Sequence, residues 1–153
     1  MSTAIEQPPF DVCGPLPSGV TVLEASAGTG KTFTIAGLTA RYVAEGVAPE
    51  QLLVMTFTRN ATAELRDRVR ERLVSAEQGL DRVLAGEPVD ESDGVLALLA
   101  TGSEDEDRTR QRRLAAAVAD FDAATIVPTH GFCQEVLGGL GIAGDLEPGI
   151  EFV

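Results

Sequence analysis

Residues 24–33 read EASAGTGKTF, and this stretch holds the only lysine of the chain, Lys31, although lysine and arginine together number 12. ASAGTGKT, Ala25 to Thr32, matches the phosphate-binding P-loop pattern with one departure, Ala25 at the position of its first glycine. Each residue type has a chemical reason. Gly28 and Gly30 let backbone N–H groups converge on an anion, and a helix opening at Lys31 adds the positive end of its dipole. Lys31 places a compact charge on the β- and γ-phosphates, and the Thr32 hydroxyl suits Mg²⁺. Arginine is broad and planar, a poor replacement for that point charge. A composition that writes arginine everywhere else therefore keeps lysine here. Ala25, Ser26, Ala27, Gly28, Thr29, Gly30, Lys31 and Thr32 form the candidate cradle for ATP and Mg²⁺. Within it, Thr32 is the metal ligand, and Lys31 and Thr32 are the candidate catalytic residues.

The flanks supply the context that the motif needs. GVTVLEA, residues 19–25, is a short β-branched run that predicts a strand, and KTFTIAGLTARYVAEG predicts a helix with Ile35, Leu38, Tyr42 and Val43 at helical spacing, ending near Gly46. QLLVMTF, residues 51–57, is continuously apolar, as expected of a strand buried on both faces of a parallel sheet. RNATAELRDRVRERLVSA then predicts a helix with Ala61, Leu65, Val69 and Leu73 on one face. Strand, helix, strand, helix at this spacing implies a βαβ unit and an α/β fold.

Residues 79–107 predict an acidic insertion, solvated and mobile over 87–107, in which VLALLA forms a helical turn or two. SEDED can instead open the helix that continues as RTRQRRLAAAVADF, because acids suit a helix N-terminus. A third strand is expected at DAATIV, ended by Pro128, and a third helix at HGFCQEVLGGL, fading at Gly138–Gly139. The expected organisation is an irregular segment at 1–18 and one unit at 19–153.

The net charge is −12, but eight acids lie between Arg82 and Arg108 with no basic residue among them. From Arg59 to Arg72 the local balance is +2. The charge argues against a broad basic nucleic-acid coat and leaves one groove open to DNA. No apolar run suffices to cross a bilayer and no export signal opens the chain, so a cytoplasmic protein without a membrane partner is expected. Cys13 and Cys133 are expected as free thiols, Cys133 buried among apolar neighbours.

Two further motifs narrow the reading. LLVMTFTRNATAELRDRVRERL (52–73) and THGFCQEVL (129–137) resemble motifs Ia and Ib of superfamily 1 helicases, the UvrD/RecB group. The matching elements are Thr56-Phe57-Thr58, Ala61, Ala63, Glu64-Leu65 and Arg68, then His130, Phe132 and Cys133. EASAGTGKTFTIAGL and HGFCQ are most similar to the RecB-type helicase–nucleases, the exodeoxyribonuclease V beta subunits. The resemblance spans residues 20–153 and is weakest across 79–107; Pro128 departs from an ordinary strand-end residue.

It implies the N-terminal part of a RecA-like P-loop NTPase domain: an incomplete parallel sheet with flanking helices, acting in ATP-dependent DNA unwinding during double-strand-break repair and recombination. It also implies single-stranded DNA as a partner, further helicase and nuclease domains, and RecC- and RecD-type subunits. Thr56, Phe57, Thr58, Arg59, His130 and Phe132 are the DNA-binding candidates. Phe57 and Phe132 fit base stacking or the core equally well, and His130 a phosphate contact or a helix start. The arginines at 66, 68, 70 and 72 fit a solvated helix face better than a DNA contact.

The carboxylate pair that should position Mg²⁺ and the attacking water does not appear on a strand here, so the chain alone is expected to bind nucleotide without turning it over. Two rivals remain: a small P-loop kinase using RTRQRR as its lid, and a non-catalytic module that binds through an open sheet edge.

Overall fold

The computed structural model, which describes residues 9–25, 28 and 30–140, places five helices and two strands along the chain. They are α1 (Lys31–Ala44), β1 (Leu53–Thr56), α2 (Arg59–Leu84), α3 (Gly94–Leu99), α4 (Glu104–Ala119), β2 (Thr125–Pro128) and α5 (Thr129–Leu140). The two strands pair in parallel, Leu53 opposite Thr125 and Thr56 opposite Pro128. The parallel α/β character follows the sequence. Residues 19–25 do not: they form no strand, and Val20 is 97% exposed. A strand exists only through a neighbouring ladder, and β1 and β2 pair with each other instead.

β1 is also covered on one side only. Val54 and Thr56 are half-buried, while Leu53 and Met55 remain exposed. The expectation of burial on both faces fails because, among the described residues, no layer lies over that second face. α5 buries none of its residues and runs to Leu140, past the expected fading point.

The core lies between helices. α2 buries Leu65, Val69, Leu73, Ala76 and Leu80 as one stripe, the pattern of a core-facing helix. Ala61 is exposed, and Thr62 takes its place in the interior. α1 contributes Ala36, Ala40, Val43 and Ala44, while Ile35 stays 37% exposed. The sequence favoured the larger side chains. Small residues suit such positions because they let neighbouring helices approach closely.

The acidic segment is built into this core. Val95, Leu96 and Leu99 of α3 are buried, so a solvated, mobile insertion does not describe it. Asp93 caps α3 by accepting from the Leu96 amide at 3.0 Å, and binds both terminal nitrogens of Arg72 at 2.6 and 2.8 Å. SEDED does open α4: Ser103 and Glu106 exchange the two bonds of a capping box. The Ser103 amide and hydroxyl donate to the Glu106 carboxylate at 2.7 and 2.9 Å and hold it below its ordinary range. The arginines of α4 then close other helices. Arg113 donates to the Ala44 carbonyl at the end of α1, and Arg110 to the Leu99 carbonyl at the end of α3.

Gly79 lies where α3 crosses α2; a Cβ there would sit 2.6 Å from a buried Leu96 methyl. Gly79→Val is expected to lower stability by about 1–3 kcal/mol by forcing α3 outward. A urea midpoint equal to that of the parent chain would refute this contact.

Candidate functional site

The glycines of the candidate phosphate loop have positive φ. Gly28 and Gly30 have φ of 77° and 84°, in the left-handed region that other residues enter at a cost. Gly30 is the N-cap of α1 and offers no side chain to its free amides, so the first N–H groups of the helix remain available to an anion. Lys31 and Thr32 stand on that first turn, Lys31 exposed and Thr32 half-buried. Ser26, Ala27 and Thr29 lie outside the described residues. Beside Thr32 an open groove of about 420 Å³ runs between α1 and α2, with Phe33 and Ala36 on one side and Arg68, Glu71 and Arg72 on the other.

The second cluster forms where the two strands end. Thr56 closes β1 and Pro128 closes β2, side by side in register. Proline brings no N–H to this position. The next residue supplies a donor from its side chain: the Thr129 hydroxyl donates to the Thr56 carbonyl at 3.0 Å. The Thr56 hydroxyl donates to the Thr58 carbonyl at 3.1 Å and shares a 3.0 Å bond with the Thr62 hydroxyl. Thr58 caps α2, its side chain accepting from the Ala61 amide at 3.1 Å. Of the DNA-binding candidates, Thr56 and Thr58 are thus committed to local structure.

The others are displayed. Phe57 is 91% exposed and not a core residue. Arg59 and His130 are exposed and Phe132 is half-buried. Arg59 forms no hydrogen bond or ion pair among the described residues. Cys133, expected inside, is exposed. It sits on α5, which has no buried face.

Three of the α2 arginines carry partners rather than bare solvent. Arg66 pairs with Asp122 at 2.8 Å, Arg68 with Glu71 at 3.1 Å, and Arg72 with Asp93 in the interior. Arg66 and Arg70 also lie over the buried Phe121 ring at 5.2 and 5.6 Å, within cation–π range. Sequence reasoning missed Thr62, Thr129 and Asp93. A hydroxyl next to a strand-end proline and an acid just before VLALL were the available signals.

Among the described residues no group of three or more His, Cys, Asp and Glu side chains is placed to hold a metal. None of the described helices is long and apolar enough to cross a membrane.

The model of the UvrD/REP helicase N-terminal domain matches residues 12–151. The chain is 50% identical over 147 residues to the RecBCD enzyme subunit RecB of Mycolicibacterium smegmatis, covering 94% of this chain and 13% of that protein. It is 48% identical to the RecB subunit of Mycobacterium tuberculosis, with 93% and 13% covered. Against the Escherichia coli RecB subunit it is 37% identical over 128 residues, with 78% and 10% covered. It therefore spans about an eighth of the length of the first two relatives. With the P-loop at the head of α1 and both further motifs at neighbouring strand ends, the chain belongs to the UvrD/REP helicase N-terminal domain family.

Proposed function

We propose that this chain is the nucleotide-binding, DNA-contacting N-terminal part of a RecB-type DNA helicase motor. Backbone amides of residues 25–32 would cradle the phosphates of ATP, with Lys31 on the β- and γ-oxygens and Thr32 on Mg²⁺. The residues present fit that load: amides at a helix start that its N-cap residue leaves without a side-chain partner, one exposed lysine and one hydroxyl. ATP hydrolysis would drive movement along single-stranded DNA in double-strand-break repair and recombination. As the relatives are RecB subunits of RecBCD enzymes, the reading includes RecC- and RecD-type partners, further helicase and nuclease domains, exonuclease activity of the whole assembly and a cytoplasmic setting.

The observation that carries the DNA half is the Thr129–Thr56 bond. It joins the two strand ends, and Phe57, Arg59, His130 and Phe132 all follow those ends within four residues, which supports reading them as one rim. An exposed ring next to two cationic or polar side chains suits a base stacked above its phosphate. In anisotropy titrations with a labelled deoxythymidine oligomer, Phe57→Ala is expected to weaken binding about fivefold or more, given the usual worth of base–aromatic stacking. Arg59→Ala should weaken it less and flatten its salt dependence. Unchanged affinity in both variants would remove the DNA reading from this rim.

The isolated chain is expected to bind ATP without steady-state hydrolysis. Phosphate release that disappears in Lys31→Ala would contradict that. The kinase reading loses its support because Arg110 and Arg113, its supposed lid, are committed to the ends of α3 and α1.

A further inference from the structure

We propose that Arg41 and Tyr42 are positioning residues for the P-loop, clasping the segment that leads into it onto the loop's own helix. This inference rests on the nucleotide reading above. Arg41, only 8% exposed, donates from a terminal nitrogen to the Val12 carbonyl at 2.5 Å. The Tyr42 hydroxyl donates to the Pro17 carbonyl at 2.5 Å. Packing repeats the link. A Cβ on Gly37 of α1 would meet a Val12 methyl at 3.0 Å, and one on Gly94 of α3 would meet the Cys13 sulfur at 3.2 Å. Asp11 closes the turn before these contacts, accepting from the Cys13 amide at 2.8 Å.

The location gives the clasp its consequence. Tyr42 and Lys31 lie near opposite ends of α1, about 16 Å apart at the rise of an α-helix. Residues 18–25 form no strand, and Val20 and Val22 are 97% and 82% exposed. Among the described residues, the Tyr42–Pro17 bond is the last hydrogen bond before the loop. A phosphate cradle needs its amides held to a fraction of an ångström. With its approach tethered, less chain must be ordered when nucleotide arrives.

The test is titration of a fluorescent ATP analogue with Mg²⁺ into the parent chain, Tyr42→Phe, Arg41→Gln, Arg41→Lys and Lys31→Ala, with hydrogen exchange over residues 10–25. Tyr42→Phe removes one oxygen and leaves the ring, so folding should survive. Its expected signature is a dissociation constant raised about three- to tenfold, the usual worth of one hydrogen bond, with an unchanged thermal midpoint. Exchange over residues 10–25 should quicken, and nucleotide should slow it less than in the parent chain. Arg41→Lys should restore part of what Arg41→Gln loses.

Lys31-dependent binding that is unmoved in Tyr42→Phe and Arg41→Gln overturns the clasp alone. Absence of Lys31-dependent binding in the parent chain overturns the nucleotide reading and the clasp's role with it. A loss of affinity matched by a lower midpoint and faster exchange throughout overturns the positioning role in favour of general stability.

Discussion

Lys31→Ala is expected to weaken binding of Mg²⁺–ATP by about 10- to 100-fold while leaving the fold intact. The size follows from a charge-assisted hydrogen bond to phosphate, worth about 1.5–3 kcal/mol. The fold should survive because Lys31 is exposed and makes no ion pair among the described residues. Lys31→Arg should recover only part of the loss, since a planar fork cannot take the place of a compact ammonium beneath two phosphates. Isothermal titration of both variants checks this. Equal affinity in the parent chain and Lys31→Ala would mean that the glycine-rich turn is only a turn.

Asp93→Ala is expected to cost about 2–4 kcal/mol of stability, the largest loss from any single polar side chain here. Two effects combine. The N-cap of α3 disappears, at about 1 kcal/mol. Arg72 also keeps its charge while losing both bonds of its carboxylate partner. A broken pair of this kind costs about 3–5 kcal/mol when fully buried, and the Arg72 and Asp93 side chains are still 11% and 22% exposed, so a value below that range, about 1–3 kcal/mol, applies.

The pair also sets part of the acid response. Burial pushes the Asp93 carboxyl up. The hydrogen bond and charge of Arg72, with the Leu96 and Val95 amides, outweigh it, and the net shift is downward from 3.8. A lowered folded value adds stability that is present above about 3.8 and fades as the pH falls through the folded value. Urea midpoints measured down the acid range should fall in the parent chain and fall less steeply in Asp93→Ala. Parallel curves would assign the acid response to other carboxylates.

Much of the candidate site could be read before any coordinates. The P-loop pattern is a fixed order of residue types, and the structure adds that Gly28 and Gly30 are left-handed. Thr56-Phe57-Thr58 and Thr129-His130 fall at strand ends because an apolar run and its polar exit are local signals. The interior of α1 was misread for a physical reason. Hydrophobic periodicity ranks Ile35 and Leu38 above alanine, yet the core takes Ala36, Ala40 and Ala44, small residues that suit closely approaching helices. Segment 79–107 was misread because its acids dominate its composition, while three apolar side chains and one carboxylate decide where it sits.

The sequence by itself determined the parallel α/β character and the family, and it supplies the residue order on which the nucleotide proposal rests, since these follow from short runs whose residue types answer to backbone geometry and charge. Tertiary structure alone decided that residues 19–25 stand without a ladder, that α3 enters the core through Arg72 and Asp93, and that a threonine hydroxyl joins the two strand ends. Those outcomes depend on partners 21 and 73 positions away in the chain, a separation at which local propensity and periodicity carry no signal.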